Sequence, residues 1–286
     1  MKRAISIKGD LTEMQTVESL TEVFESIASI KIAKIRDRVV VSKEFFSILW
    51  QTYGGLRIDP KQRLKRKDTE HIRKGRDVFI AVTAEGKLSG DSDERIINQL
   101  LEERTAPEKT DVIVIGSHGV NQLLQHGVTP AYAFHLPESD EQFSVSSVVE
   151  ALNQYDKISV FYQTYESLRV QSIKRIDLIT AIQDLSETVE QGEVLSSHDF
   201  IFEPSVDEIA DYMEAVMMSV ALIQVIMESK LAQHASRFNT MNAAKHRADE
   251  LTGEFQRAYN RAKRGEADER LKEIMKVVNH QEGMTL

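Results

Sequence analysis

Apolar positions along the chain change their period twice, and the changes divide it into three zones. From Asp10 to Tyr53 no proline interrupts, and Leu11, Met14, Val17, Leu20, Phe24, Ile27 and Ile35 recur at spacings that fit one helical stripe. The pair Gly54-Gly55 is the stop signal of that helix, because glycine takes up the backbone turn that ends one. Residues 61–76 are charged and read as a linker or short helix. The middle zone has short β-rich runs at Val78–Val82, Val112–Ile115, Ala131–Phe134 and Ile158–Tyr162, separated by helical patterns at Ile96–Glu103 and Val145–Tyr155. Strand alternating with helix predicts a small α/β domain with a mainly parallel sheet. A further strand is expected over Leu168–Ile176, and the domain ends between Asp184 and Glu203.

The last zone opens on Glu203-Pro204-Ser205, with Ser205 and Glu208 spaced as a capping box. Ile209, Met213, Val216, Val220, Ile223, Met227, Leu231, His234, Phe238 and Met241 then repeat with a period near 3.5, the seam of a coiled coil. The pattern loosens but continues through Ala248, Leu251, Phe255, Tyr259, Leu271 and Ile274. No proline follows Pro204, so the helix can run about 75 residues, roughly 110 Å. The fold expected is α/β: a long antiparallel coiled coil of N- and C-terminal helices, residues 1–60 and 203–286, with a small α/β domain inserted at residues 77–195. Where the C-terminal helix outruns its partner, an uncovered seam calls for another protein.

Composition narrows the function. With 36 basic and 45 acidic residues the net charge is −9, which argues against a nucleic-acid partner. There is no cysteine, so disulfides, thiolate metal sites and cysteine nucleophiles are excluded. The most apolar run, residues 215–227, is shorter than the ~20 residues a bilayer span needs. The first residues lack the apolar core of a secretory signal and the Arg- and Ser-rich character of a transit leader. The turn 86–90 lacks GxxxxGK[ST] spacing and reads as a strand-to-helix turn. Gly116-Ser117-His118-Gly119 carries a hydroxyl and an imidazole but no GxSxG elbow and no acid obviously poised beside them. The eight histidines show no metal-ligand spacing, so neither metal nor cofactor is expected.

Several segments are collinear with one family. EPSVDEIADYM (203–213), QHASRFNTMNAAKHRA (233–248), AYNRAKR (258–264) and LTEVFESIASIKIAK (20–34), with VTAEGKLSGD (82–91) and FYQTYESL (161–168) between, resemble the gamma subunit of F-type ATP synthases over essentially the whole chain. His234, Ala235, Arg237, Met241 and Ala248 are kept at one end, and Thr21, Ala28 and Lys31 at the other. The chain departs from the family at Ala232-Gln233 (usually Ser-Glu), at Phe238 (usually Met), and in the acids Glu13, Glu18 and Glu22, which replace basic positions. Arg264 and Asp268 stand where the family has the glutamine and threonine that help grip a catch loop of a catalytic beta subunit.

The resemblance implies a non-catalytic rotor. Its helices would lie in the cavity of a ring of alternating alpha and beta subunits. Its α/β insert would be a foot on the epsilon subunit and the c-subunit ring. The assembly would sit peripherally on the cytoplasmic face of a bacterial plasma membrane. Partner contacts with the alpha/beta ring are then expected at Arg237, His234, Met241, Arg264, Asp268, Thr21 and Lys31. From the residues alone, Arg237 reads equally as an arginine snorkelling along the coil, and Met213, Met217, Met218 and Met227 as seam filling. A gamma-like paralogue serving as a coiled-coil adaptor in a different assembly is the alternative reading.

Overall fold

A computed structural model describes residues 4–55, 75–86, 90–136, 144–178 and 206–282. Among them the order is α1 (Ala4–Gly55), β1 (Asp77–Val82), α2 (Ser92–Glu103), β2 (Thr110–Ile115), α3 (Ser117–Gln125), β3 (Tyr132–Phe134), α4 (Ser146–Leu152), β4 (Lys157–Tyr165), β5 (Gln171–Asp177) and α5 (Val206–Glu282). Most of the 61–76 linker, residues 87–89 of the first turn, the stretch between Asp184 and Glu203, and Ser205 of the capping box lie outside the described residues. The chain divides into two compact units, residues 1–27 with 238–286, and residues 28–237.

In the second unit the sheet order is β3-β2-β1-β4-β5. β1 pairs in parallel with β2 and β4, β2 in parallel with β3, and only β4–β5 is antiparallel. Alternation sorts each strand between two cores, since successive side chains point to opposite faces. Val78, Ile80, Val82, Ile113, Ile115, Ile158 and Val160 form one core with Phe46 of α1 and with Met213, Met217, Val220, Leu222, Val225 and Ile226 of α5. Phe79, Ala81, Val112, Val114 and Phe161 face the other way, onto Ile96, Ile97 and Leu100 of α2 and Leu123 of α3. The C-terminal helix is thus itself one layer of the α/β domain. An 18-residue window of this helix reaches a mean hydropathy of 1.5, and 67% of that window is buried, as expected of a core helix.

Polar contacts add to that packing. Tyr162 and Thr164, alternate residues of β4, both donate to the Glu228 carboxylate of α5, Tyr162 at 3.4 Å. Burial pushes the Tyr162 phenol well above its ordinary pKa, and the Glu228 charge raises it further. Ile35 of α1, completely buried, packs with Met227 and Leu231.

In the first unit the Ala4 N–H donates to Glu266 Oε1 at 2.9 Å, the Lys245 ammonium to Glu22 at 3.2 Å, and the Asn242 amide to Glu25 at 3.0 Å. As one partner's number rises the other's falls, so the two helices run antiparallel here. Glu22 and Glu25 raise the Lys245 pKa, chiefly through the Glu22 hydrogen bond.

The stripe expected on α1 divides. Leu11 and Ile35 are buried and Met14 is half-buried, but Val17, Leu20, Phe24 and Ile27 are exposed. Ala4, Ile7, Thr21 and Ala28, outside that stripe, are buried instead. Small side chains let helix backbones approach, so alanine and threonine take inward positions and leave larger neighbours outside. The seam expected on α5 is buried or half-buried from Ile209 to Met241.

Leu222→Ala removes a fully buried side chain and should cost about 2–5 kcal/mol by urea denaturation. Leu271→Ala, at a position 59% exposed, should change stability by no more than about 0.5 kcal/mol.

Candidate partner-binding site

Arg237 and His234 lie on the part of α5 that belongs to the sheet-bearing unit, and both are half-buried. A Cβ placed on Gly86, just beyond β1, would sit 3.6 Å from Arg237 Nη2, so the guanidinium reaches the carboxyl edge of the sheet. Burial pushes the Arg237 pKa down, and the negative charge of Asp93 works against that shift.

That edge is tightly tied. Thr83, completely buried, donates its backbone N–H to the Ile115 carbonyl at 2.8 Å. Its hydroxyl lies 3.1 Å from the carbonyls of Ile115 and Gly116 and accepts the Gly119 N–H at 3.1 Å. Gly116 has φ +108°, and a Cβ at Gly119 would stand 2.5 Å from Thr83 Oγ1 and 2.6 Å from Thr83 Cγ2. Only glycine lets α3 start this close to β1.

Asp93, in the first turn of α2 where a helix N-terminus favours negative charge, is 1% exposed. It accepts the Ala84 N–H at 3.2 Å and lies 2.7 Å from His118 Nδ1. Glu85 accepts the Ser117 hydroxyl at 2.6 Å, the Ser117 N–H at 3.3 Å and the Leu136 N–H, with His135 Nδ1 at 3.5 Å. Burial pushes the Glu85 carboxyl up, but the hydrogen bonds from Ser117, Leu136 and His135 outweigh it and hold the pKa below 4.5.

The sequence reading found no acid poised beside Ser117 and His118, and here it is corrected: each has one. Asp93 is 25 residues from His118 and Glu85 is 32 from Ser117, separations at which local spacing carries no signal. The pairing is nevertheless not that of a nucleophile. Ser117 Oγ donates to a carboxylate and His118 turns Nδ1 to Asp93, so neither contact places a basic nitrogen on the hydroxyl. Among the described residues no cluster suits a metal ion.

The other expected contact residues fall into two groups. Lys31, in the second unit, is half-buried. In the first unit Thr21 and Met241 are 7% and 5% exposed, and Thr21 donates to the Glu18 carbonyl at 2.8 Å. These two pack inside the helical rod. Arg264 and Asp268 are exposed on α5. Beyond Glu266, which meets the start of α1, Leu271, Ile274 and Met275 are 59%, 60% and 63% exposed. Sequence reasoning missed the apolar outer face of α1, where Val17, Leu20, Val23, Phe24 and Ile27 are uncovered.

A family model described as ATP synthase matches residues 4–279. The chain is 21% identical over 281 residues to the ATP synthase gamma chain of Mycoplasmoides gallisepticum, covering 94% of this chain and 96% of the relative. It is 24% identical over 291 residues to the gamma chain of Chlorobium phaeobacteroides, with the same coverages. A chain in the structure of the Euglena gracilis mitochondrial ATP synthase (OSCP/F1/c-ring) superposes with a TM-score of 0.64 at 14% identity, covering 96% of this chain and 94% of that one. A chain of the rotor of the same synthase gives 0.61 at 14% identity, covering 91% and 98%.

Gly119→Ala should destabilise the chain by about 1–3 kcal/mol in urea melts. Thr83→Ala/Gly119→Ala should cost less than the two single changes together, because the first removes both atoms the new methyl strikes. The lowered Glu85 pKa means its contribution to stability is present above pH 4.5 and is lost as pH falls through the folded value. Urea midpoints of Glu85→Gln should therefore lack part of the acid decline that the unaltered chain shows below about pH 4.5.

Proposed function

Because the chain belongs to the gamma-subunit family of F-type ATP synthases, we propose that it works as the central-stalk rotor, coupling ion-driven rotation to ATP synthesis or hydrolysis in an alpha/beta ring. The match over residues 4–279 carries this reading. The antiparallel helices of the first unit support it, as does the uncovered apolar surface at Val17–Ile27 and Leu271–Met275, which suits a surrounding partner.

The rotor performs no bond chemistry in this proposal. Its two sides differ, so each catalytic site of the ring meets a different face and settles in the state that contacts that face best. Turning the rotor shifts those populations in sequence, and differential contact energy is the whole of the coupling. The exposed Arg264 and Asp268 are assigned to direct contact with a beta-subunit loop. Thr21 and Met241 hold the helix pairing behind them. Arg237, His234 and Lys31 contribute from half-buried positions, with Arg237 steadied by the Asp93 charge. The α/β insert is assigned to the epsilon subunit and the c-subunit ring, and the complex to the cytoplasmic face of a bacterial plasma membrane.

A tagged chain pulled down from its native membranes should recover alpha, beta, epsilon and c subunits. Recovery of an unrelated assembly without alpha and beta subunits would favour an adaptor role instead. Arg264→Glu in the recovered complex should lower ATP-driven ion pumping about tenfold or more, with chain stability changed by less than about 0.5 kcal/mol. Unchanged pumping would remove Arg264 from the contact.

A further inference from the structure

A groove of about 650 Å³ lies between the edge strand β3 and helix α4, apart from every residue assigned to the alpha/beta ring. Its aromatic side is Tyr132 and Phe134, alternate residues of β3 that face the same way, with ring centroids 6.2 Å apart and planes within 17° of parallel. Phe134 is anchored against the core of the sheet, while Tyr132 is 42% exposed. The opposite wall includes Ser147, Glu150 and Gln154, whose spacing puts them on one side of α4 and the turn after it. Gln154 Nε2 donates to the Tyr132 hydroxyl at 3.2 Å and to the Ala151 carbonyl at 3.1 Å, which leaves its Oε1 as an acceptor. Glu150 is exposed and takes part in no ion pair among the described residues.

We propose that this groove binds an arginine side chain presented by a partner protein. A guanidinium is planar and cationic, so it can lie on an aromatic face while its fork of N–H donors meets a carboxylate and an amide oxygen side by side. The groove supplies those elements together: two near-parallel rings, the Glu150 carboxylate, and acceptors at Gln154 and Ser147. A lysine ammonium would use the charge but not the flat surface. A phosphate or carboxylate ligand would meet Glu150 with like charge. The net charge of −9 favours the approach of a basic partner at longer range.

The full chain, labelled with carbon-13 in its tyrosine and phenylalanine rings, is titrated with the capped peptide acetyl-Gly-Arg-Gly-amide and followed by NMR. Saturable shifts of the Tyr132 and Phe134 rings are expected, with the lysine peptide roughly fivefold weaker and the uncharged citrulline peptide silent. Glu150→Gln and Tyr132→Ala should each weaken the arginine peptide roughly tenfold, and circular dichroism should report the same fold in both. No saturable shift, equal binding of citrulline, or binding indifferent to Glu150→Gln would overturn the site. Free arginine binding more tightly than the capped peptide would overturn the protein source in favour of the amino acid itself. None of these outcomes touches the contacts with the alpha/beta ring, which the pull-down and Arg264→Glu test separately.

Discussion

The fold depends on how the parallel sheet is covered. A parallel sheet is buried on both faces, and here one of its covers is the chain's own last helix, through Met213, Met217, Val220, Leu222, Val225 and Ile226. The insert therefore has no complete core of its own, since removing α5 would expose Val78, Ile80, Ile113 and Val160 to water. Phe46 of α1 fills the same core, so both terminal helices are constituents of the domain as well as a helical pair.

The same constraint explains the polar edge. Once α5 lies along the sheet, Arg237 comes against the carboxyl ends of the strands, where Asp93 answers its charge. Thr83 and Glu85 then tie β1 to the start of α3, and Glu85 also reaches Leu136 beyond β3. These contacts use groups that would suit catalysis elsewhere, but here every named polar atom is turned toward another part of the chain. Together they make a firm join between the helices and the carboxyl edge of the sheet.

Much of this architecture was legible in the sequence because it rests on periodicity. The near-3.5 repeat of Ile209–Met241 falls on the buried and half-buried part of the last helix, and the β-rich runs fall on the strands of a mainly parallel sheet. The N-terminal helix was harder to read, because it has apolar residues on more than one face and periodicity gives a stripe without saying which stripe is packed. The choice was made by Ala4, Thr21 and Ala28, small residues that carry little hydrophobic signal and permit close approach. The acids beside Ser117 and His118 were illegible for another reason. They arrive from other strands and helices, and one sequence holds no mark of that meeting. Of the expected contact residues, Arg264 and Asp268 are exposed, whereas Thr21 and Met241 are buried on the inner face.

The pairing of Ala4 with Glu266 joins residues 262 apart in the chain. During synthesis, at roughly 5–20 residues per second, Ala4 is joined to the chain some 13–50 s before Glu266. Throughout that interval the inner face of the first helix, with Ala4, Thr21 and Ala28, lacks the helix it packs against. The order of translation thus makes the first helix wait longest for its partner, and residues 242–266 set the moment at which its inner face closes.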